Sequence, residues 1–547
     1  MLKAVELLRQ GRTEELWQMC CGFTTLSLDQ FMSIQRRLLM EQIQLLSHSV
    51  LGKKIMQGVR PDSVEEFRRL VPLTTYASYC PELVEKREDT LPVKPAMWVH
   101  SSGRSSEYPF KWVPMSPQFS REMSQVMYGL GILASCSEAG DTAHIPDCPR
   151  VVYTVAPRPY MSGAMASMLE QQTPVDFYPT LSEAEGQTFE DRIRLGFKQA
   201  LSDRIDYFFG LSMVLAQVGD KFSQSSGNVK IGPLLREPKA LWNVARGLTR
   251  SRLAGRPLLP KDIWNVKGII SSGLDSWVYR EKIKTMWGRY PLDIYAGTEC
   301  GIIATQTWDY DAMTFIPNLN FLEFIPEREH LKWEADHNYQ PSTVLLDEVT
   351  AGENYEMVIT NFHGGAMVRY RIGDMVKITS LRNDKLGIDI PQMVFERRMD
   401  AILDFVVVKI SEKVLWQAIE ATGVAYEDWT AYRIPGEQVM HLLVELKEGH
   451  YAREADIAAE IRKRVMDSRK SGGVVEDWRN SIDFNVDVTL LPRGSFASYL
   501  AQRQAEGADP AHLKPPHINP SEKMLGSLLG RPVAIPTVKT WTEKVPA

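Results

Sequence analysis

The chain has 547 residues and a formal net charge of -5 at pH 7, the balance of 63 basic and 68 acidic residues. A chain of this length exceeds what one hydrophobic core usually organises, so we expect at least two domains. The basic residues are mixed with the acidic ones and form no block of the kind that binds nucleic acid, so nucleic acid is not expected as a partner.

The apolar segments and the cysteines indicate a cytoplasmic protein without a membrane span. The most apolar run, from Tyr207 to Gly219, is shorter than the roughly 20 residues of a transmembrane helix, and we predict that it forms a buried core helix. The amino terminus lacks the apolar core of a secretory signal. Because the six cysteines have neither framework nor zinc-site spacing, we expect no disulfides and no structural metal.

The predicted elements begin with helices. Ser27 or Asp29 can cap a helix whose apolar residues recur at helical spacing from Phe31 to Leu45. From about Met97 to Asn361, strand-like runs alternate with helix-like runs. This alternation is typical of α/β architecture rather than of a helical bundle or a β-sandwich.

The pattern changes near Phe395. Beyond it, Val439 to Leu446 and Phe484 to Pro492 are predicted strands, and Glu454 to Ser468 between them is a predicted amphipathic helix. We therefore expect an α/β domain over residues 1–395 and a smaller α+β domain over residues 396–547, a reasonable domain size.

The first stretch that could carry chemistry is the loop from Ser101 to Pro114. Hydroxyl and backbone N–H donors on such a loop can converge on phosphate oxygens, with the cation of Lys111 nearby. The residues that would do so are Ser101, Ser102, Gly103 and Ser105. Taken alone, the same sequence also fits a solvated Ser/Gly linker.

The second stretch follows a strand-like run that ends in Gly297, Thr298 and Glu299. Ligands of open α/β sheets bind beyond the carboxyl ends of strands, so this is a candidate ligand-facing turn. The Glu299 carboxylate could hold Mg²⁺ against phosphates, because hard cations prefer oxygen ligands. A polar turn without a ligand is the alternative.

The third stretch places Gly373 and Asp374 after an alternating strand, where we predict a tight turn. An ionised aspartate only accepts hydrogen bonds, so Asp374 could take both hydroxyls of a ribose. An ordinary hairpin turn is the alternative. Elsewhere the chain has no complete dinucleotide fingerprint, no P-loop and no nucleophile elbow, which argues against hydride transfer and serine hydrolysis.

Taken in order, the three stretches resemble the nucleotide motifs of the adenylate-forming superfamily of acyl-CoA synthetases, peptide-synthetase adenylation domains and luciferases. The closer resemblance is to its Gretchen Hagen branch, the acyl-acid amido synthetases named after auxin-responsive plant proteins. Six further segments are similar to motifs of that branch and occur in the same order, namely FRRLVPLTTY, APRPYMSGAMA, FLEFIP, RYRIGD, VKISE and LKPP.

The resemblance implies a large amino-terminal α/β domain with mixed sheets, a small mobile α+β carboxyl-terminal domain that rotates between steps, and ATP with Mg²⁺ as cofactors. It also implies two half-reactions. The carboxylate of an acid attacks the α-phosphorus of ATP and releases pyrophosphate, and an amine, usually of an amino acid, then attacks the acyl-adenylate. Acyl transfer to coenzyme A, or ligand binding without turnover, are the alternatives.

The resemblance also assigns roles to single residues. Glu299 would hold the metal, Asp374 would bind the ribose, and Arg398 with Asp400 would lie at the hinge. Lys409 and Lys514 would approach the phosphates from the small domain. The full set of ATP-binding residues would be Ser101, Ser102, Gly103, Ser105, Tyr295, Gly297, Thr298, Asp374 and Arg398, and the catalytic set Lys514, Lys409 and Glu299.

Three residues depart from the pattern of the branch. Arg104 replaces a threonine of the phosphate loop, and Glu107 stands about where a glycine is expected. His517 follows the last lysine motif where the plant relatives carry an arginine. A carboxylate beside phosphates is repulsive unless it points away or meets Arg104, so we expect an altered phosphate loop.

Overall fold

The computed structural model describes residues 2–100, 111–225, 237–272, 276–398, 402–405, 409–467, 485–505, 515–533 and 535. These residues fall into two units. The amino-terminal unit draws on the ranges Met1–Ser102 and Phe110–Arg397, and the carboxyl-terminal unit on Arg398–Thr537. The domain boundary between residues 395 and 396 stays a prediction.

The amino-terminal unit starts with helices, as the spacing of its apolar residues predicts. The Ser27 side chain caps the longest of them by accepting a hydrogen bond from the backbone N–H of Gln30, which identifies Ser27 rather than Asp29 as the cap. The helices are α1 (Ala4–Arg9), α2 (Thr13–Cys21), α3 (Leu28–His48), α4 (Val50–Ile55) and α5 (Val64–Leu70).

An 11-stranded sheet organises the rest of this unit, in the order β10-β11-β12-β13-β9-β8-β7-β6-β5-β3-β4. Before it, β1 (Met97–His100) and β2 (Trp112–Met115) form a separate antiparallel pair. The strands of the large sheet are β3 (Arg150–Tyr153), β4 (Asp176–Tyr178), β5 (Tyr207–Leu211), β6 (Gly268–Ser272), β7 (Pro291–Gly297), β8 (Gly301–Thr305), β9 (Met313–Phe315), β10 (Asn320–Pro326), β11 (Asn354–Asn361), β12 (Tyr370–Ser380) and β13 (Gln392–Arg398).

The sheet has a parallel half and an antiparallel half. Strands β3 to β7 pair in parallel, and helices connect them, as parallel strands require. Strands β7, β8 and β9 pair antiparallel, as do β10, β11 and β12. The helices of this region are α6 (Pro117–Leu133), α7 (Met161–Leu169), α8 (Leu181–Ala184), α9 (Phe189–Leu201), α10 (Ser212–Ser225), α11 (Pro238–Leu253), α12 (Pro260–Ile263), α13 (Ser276–Trp287) and α14 (Glu327–Ala335).

The apolar run from residue 207 to residue 219 differs from its prediction as a single helix. Its first five residues form β5, and the chain enters α10 at Ser212. A parallel strand covered on both faces reads as a continuous apolar run, so its composition resembles that of a buried helix. Among the described residues, every helix is too short or too polar to span a membrane.

A buried ion pair joins three parts of the amino-terminal unit. Arg369, directly before β12, donates from Nη2 and Nε to the two oxygens of Glu323 on β10, at 2.8 and 3.0 Å. Its Nη1 donates to the carbonyls of Arg68 and Val71 at the end of α5, each at 2.6 Å. Both partners of the ion pair are almost inaccessible to solvent, with Glu323 at 0%.

The carboxyl-terminal unit contains a three-stranded sheet of order β16-β17-β18, a two-stranded pair β14-β15, and helices. The strand predicted from Val439 to Leu446, the helix predicted from Glu454 and the strand after it are all present, which confirms a smaller α+β unit. Its elements are β14 (Ile402–Asp404), β15 (Lys409–Ser411), α15 (Glu412–Glu420), β16 (Tyr426–Arg433), β17 (Val439–Leu446), α16 (Glu454–Asp467), β18 (Asn485–Leu491), α17 (Ser495–Ala505) and α18 (Glu522–Leu529).

Removal of one partner from the buried pair is expected to destabilise the fold strongly. Glu323→Gln leaves the Arg369 guanidinium uncompensated in the interior, so the free energy of unfolding should fall by about 3 kcal/mol or more. Urea unfolding measures the change. Glu41→Gln is the matched control, because its pair with Arg37 is exposed and exposed pairs contribute little. Equal effects of the two substitutions would contradict the role of the buried pair.

Candidate active site

The candidate site is built on the corner between β7 and β8. Gly297 at the end of β7 lies opposite Gly301 at the start of β8, and residues 298–300 make the turn. Gly301 has φ +67°, a conformation that favours glycine. A side chain at residue 297 would meet the Cys300 sulfur at 2.9 Å. The strand end that opens into a turn is therefore confirmed, and the two glycines explain why it can be so tight.

Two asparagines fix the backbone of this turn. Asn361, at the end of β11, donates to the Glu299 carbonyl at 2.9 Å, and Asn320, at the start of β10, donates to the Cys300 carbonyl at 2.7 Å. The two amides are themselves joined at 2.8 Å. Neither asparagine is predicted from the sequence, although an asparagine at a strand end is a recognisable signal of a hydrogen-bonded turn.

The Glu299 side chain lies in a small polar group. Its Oε1 accepts a hydrogen bond from the Tyr370 hydroxyl at 3.2 Å, and Lys111 Nζ lies 3.8 Å from the same oxygen. Lys111 Nζ is also 3.4 Å from the Tyr370 hydroxyl. The Glu299 and Lys111 side chains are partly exposed, at 14% and 20%. A carboxylate and an ammonium are thus held together where a solvent-borne ligand can reach them.

Asp374 lies within reach of the same strand end. The Tyr295 hydroxyl on β7 donates to Asp374 Oδ2 on β12 at 2.9 Å, and both residues are buried. In the sheet order, β13, β9 and β8 separate these two strands. Four strand spacings in a flat sheet would amount to about 19 Å. The contact therefore requires a strongly curled sheet, which the sequence patterns do not indicate.

The tight turn predicted at Gly373 and Asp374 is wrong, because both residues lie inside β12. Arg371 pairs with Val358 and Met375 with Glu356, so three residues of β12 face one residue of β11. Gly373 has φ +80°. A glycine with positive φ serves a β-bulge as well as a turn, and the bulge directs the Asp374 side chain toward Tyr295.

The Cys300 thiol at the corner has low reactivity. Burial, and then the nearby carboxylates of Glu299 and Asp374, raise the pKa of the thiol well above its ordinary value. A thiol that stays protonated is a weak nucleophile. The corner therefore offers oxygen ligands and hydrogen-bond partners, not a cysteine nucleophile.

The structure brings together Tyr295, Gly297, Thr298, Glu299 and Asp374 from the expected set. Arg398 ends β13 and Lys409 begins β15, and their side chains are outside the described part of the chain. The remaining expected residues also lie outside the described residues, namely Ser101, Ser102, Gly103, Ser105 and Lys514, as do Arg104, Glu107 and Asp400.

A divalent cation would have one carboxylate here rather than a closed protein site. Within the described ranges, no group of three or more His, Cys, Asp or Glu side chains is placed to hold a metal. Mg²⁺ in nucleotide enzymes commonly takes one or two carboxylates together with phosphate oxygens and water. The partly exposed Glu299 carboxylate fits that chemistry.

Known proteins resemble this chain in sequence. Residues 313–398 match the GH3 family central domain. A 4-substituted benzoates-glutamate ligase of Arabidopsis thaliana is 34% identical over 147 residues, which cover 25% of this chain and 23% of that protein. A jasmonoyl–L-amino acid synthetase of Nicotiana attenuata is 29% identical over 209 residues, which cover 37% and 34%. The chain thus spans about a quarter to a third of the length of these two relatives.

Other known proteins match most of the chain at lower sequence identity, and two of them share its fold. A probable indole-3-acetic acid-amido synthetase of Oryza sativa subsp. japonica is 23% identical, and the match covers 88% of this chain and 86% of that protein. A solved acyl acid amido synthetase in complex with 2,4-DB has a TM-score of 0.51 at 15% identity, covering 92% and 94%. A 2-hydroxyisobutyryl-CoA ligase has a TM-score of 0.55 at 15% identity, covering 88% and 94%.

The two solved structures show the same fold as this chain, and the central-domain match lies on the strands that carry Phe395 and Asp374. The three relatives are named as a benzoates-glutamate ligase, a jasmonoyl–L-amino acid synthetase and a probable indole-3-acetic acid-amido synthetase. Residues 313–398 thus resemble the central domain of the GH3 family, and the chain has the fold of the two solved enzymes.

Proposed function

We propose that this protein is an ATP-dependent ligase that adenylates a carboxylic acid and transfers the acyl group to the amino group of an amino acid. The observation that carries the proposal is the convergence of Tyr295, Glu299, Lys111 and Asp374 at the end of β7. The relatives add weight, because their names describe the joining of acids to amino acids.

In this proposal Asp374 binds the ribose of ATP. A carboxylate has about four acceptor positions and can accept from several hydroxyls at once, of which the Tyr295 hydroxyl is one. The Tyr295 hydroxyl keeps the carboxylate in one orientation, which lowers the entropy that ATP binding would otherwise lose. The curled sheet brings Asp374 beside Tyr295 near the β7–β8 corner, which supports this assignment.

In the same proposal, Glu299 and Lys111 act at the phosphates of ATP, Glu299 by holding Mg²⁺ and Lys111 by its positive charge. Attack on the α-phosphorus accumulates negative charge on phosphate oxygens, and fixed cations lower the barrier where that charge develops. The Lys111 ammonium can meet this charge while Tyr370 holds the Glu299 carboxylate in place. Mg²⁺, held by Glu299 and phosphate oxygens, would neutralise further charge on the triphosphate. We assign to Ser101, Ser102, Gly103 and Ser105 further phosphate contacts, and to Lys514 and Lys409 the cations that act during adenylation.

The proposed compartment is the cytoplasm. All six cysteines are free, which fits a reducing environment.

ATP–pyrophosphate exchange with a panel of carboxylic acids tests the proposed function. Adenylation is reversible, so an accepted acid should cause labelled pyrophosphate to enter ATP. Trapping with amino acids and with coenzyme A then identifies the acceptor. Amide formation supports the proposal, whereas a thioester product would make the protein an acyl-CoA ligase. Measurable ATP binding without exchange for any acid would instead indicate a binding protein.

Asp374→Ala should weaken ATP binding, because the ribose loses its acceptor. Charge-assisted hydrogen bonds contribute roughly 1.5–3 kcal/mol, so the Kd for ATP should rise about tenfold to a hundredfold. Isothermal titration calorimetry measures it. Asp389→Ala removes a carboxylate that is exposed and serves as the control. An unchanged Kd in folded Asp374→Ala would refute the ribose assignment.

Lys514→Ala should slow adenylation and spare aminolysis of preformed acyl-adenylate. A lysine that acts mainly in the transition state of the first half-reaction contributes about tenfold to a hundredfold in rate. Rapid quench measures each half-reaction separately. Lys447→Ala, which removes an exposed lysine of the same unit, is the control. Equal losses in both half-reactions would argue against this role.

A further inference from the structure

His517 lies three residues after Lys514 and is held between two carboxylates of the carboxyl-terminal unit. Its Nδ1 is 2.8 Å from Glu412 Oε1, and its Nε2 is 2.9 Å from Asp428 Oδ1. Glu412 is the first residue of α15 and directly follows β15, which begins with Lys409. The ring therefore connects the segment after one lysine to the segment after the other.

The hydrogen bonds define the charge of the ring. Asp428 Oδ1 also accepts from the backbone N–H of Trp429 at 2.9 Å, so this oxygen is a hydrogen-bond acceptor. An ionised carboxylate has no proton to donate, so both ring nitrogens must be donors, and a ring with two N–H groups is an imidazolium. The Trp429 ring stacks on it with centroids 4.3 Å apart, which adds a cation–π contribution.

The backbone around His517 is fixed as well. Its carbonyl accepts from the Ala431 N–H of β16 at 2.8 Å, and the Asn519 N–H donates to the Ala431 carbonyl at 2.9 Å. The Thr430 hydroxyl donates to the Pro516 carbonyl at 2.8 Å. The segment thus lies along β16 like a short added strand, with the ring as its charged attachment to α15.

We propose that His517 is a positioning residue, an imidazolium clamp that ties the segment following Lys514 to the start of α15 and makes adenylation depend on the charge of this ring. The proposal rests on the proposed function only in its statement about adenylation. The clamp itself is a property of the carboxyl-terminal unit and has its own measurement.

The clamp has a defined pH dependence. Among the described residues, the charged groups that face the ring are Glu412 from α15 and Asp428 from β16, and the other ring contacts are Trp416 and Trp429. Burial opposes the charged ring, but hydrogen bonds to the two carboxylates raise the pKa of His517 above its ordinary value. The clamp is therefore complete below the ordinary histidine pKa and is lost as the pH rises through the raised value.

Amide hydrogen exchange in the full chain tests the clamp without any substrate. In the wild type, the protection factors of the Ala431 and Asn519 amides should fall as the pH rises from 6 to 9. His517→Arg keeps a permanent cation and should remove that pH dependence, whereas His517→Gln should lose protection at every pH. Asp428→Asn, which removes one facing carboxylate, should shift the loss to lower pH.

His441 offers a matched control in the same unit. Its ring also lies between two carboxylates, Asp487 at 3.1 Å and Glu437 at 3.3 Å, and stacks on Tyr432. Within the described ranges its ring contacts neither the segment from Lys409 nor the segment that contains His517, so His441→Gln should leave the protection of the Ala431 and Asn519 amides unchanged. Loss of protection in His441→Gln equal to that in His517→Gln would overturn the proposal, as would a wild-type protection factor that does not vary with pH.

The rate of ATP–pyrophosphate exchange tests the second part. His517→Gln should lower it at least about tenfold at pH 7, and the alkaline decline of the wild type should be absent in His517→Arg. Identical pH profiles of the wild type and His517→Arg would overturn the dependence of adenylation on this ring. Absence of exchange in the wild type with every acid would reject the proposed function, while hydrogen exchange would still decide whether the clamp exists.

Discussion

The buried pair of Arg369 and Glu323 is the constraint on which the amino-terminal unit depends. A buried charge is tolerated when it is fully hydrogen-bonded, and here the guanidinium meets a carboxylate on β10 and two carbonyls at the end of α5. Arg369 has φ +44°. A residue other than glycine adopts such a positive φ only where the surrounding contacts impose it. The next residue is Tyr370, so this pair fixes the start of β12 and with it the hydroxyl that holds Glu299.

From that fixed start, the β12 bulge and the curl of the sheet assemble the site. The residues that meet at the corner come from β7, β12 and the segment before β2, which are remote in the chain. Each is held by its own hydrogen bonds. Asn320 and Asn361 hold the turn, Tyr370 holds Glu299, and Tyr295 holds Asp374. In the proposed function, such independent support would preorganise the charged groups before ATP binds, which is the condition for electrostatic catalysis.

The sequence predicted the α/β fold, the smaller α+β unit and the strand end at Glu299, because hydrophobic period and motif order are local properties of the chain. Asp374 lies in a β-bulge and not in the predicted turn, because a Gly-Asp pair is compatible with both. The contact of Tyr295 with Asp374 and the bonds of Asn320 and Asn361 were not predicted, since they depend on sheet curvature and long-range pairing. The phosphate-loop serines and Lys514 remain predictions.

The raised pKa of the Cys300 thiol determines how this corner responds to oxidants. Peroxide and disulfide reagents react with thiolates, so a buried thiol held in its protonated form is spared. Burial, reinforced by the two nearby carboxylates, therefore protects the Cys300 thiol from oxidation. Alkylation of Cys300 then requires local opening of the corner. The rate at which Cys300 is labelled therefore reports how often the β7–β8 turn opens.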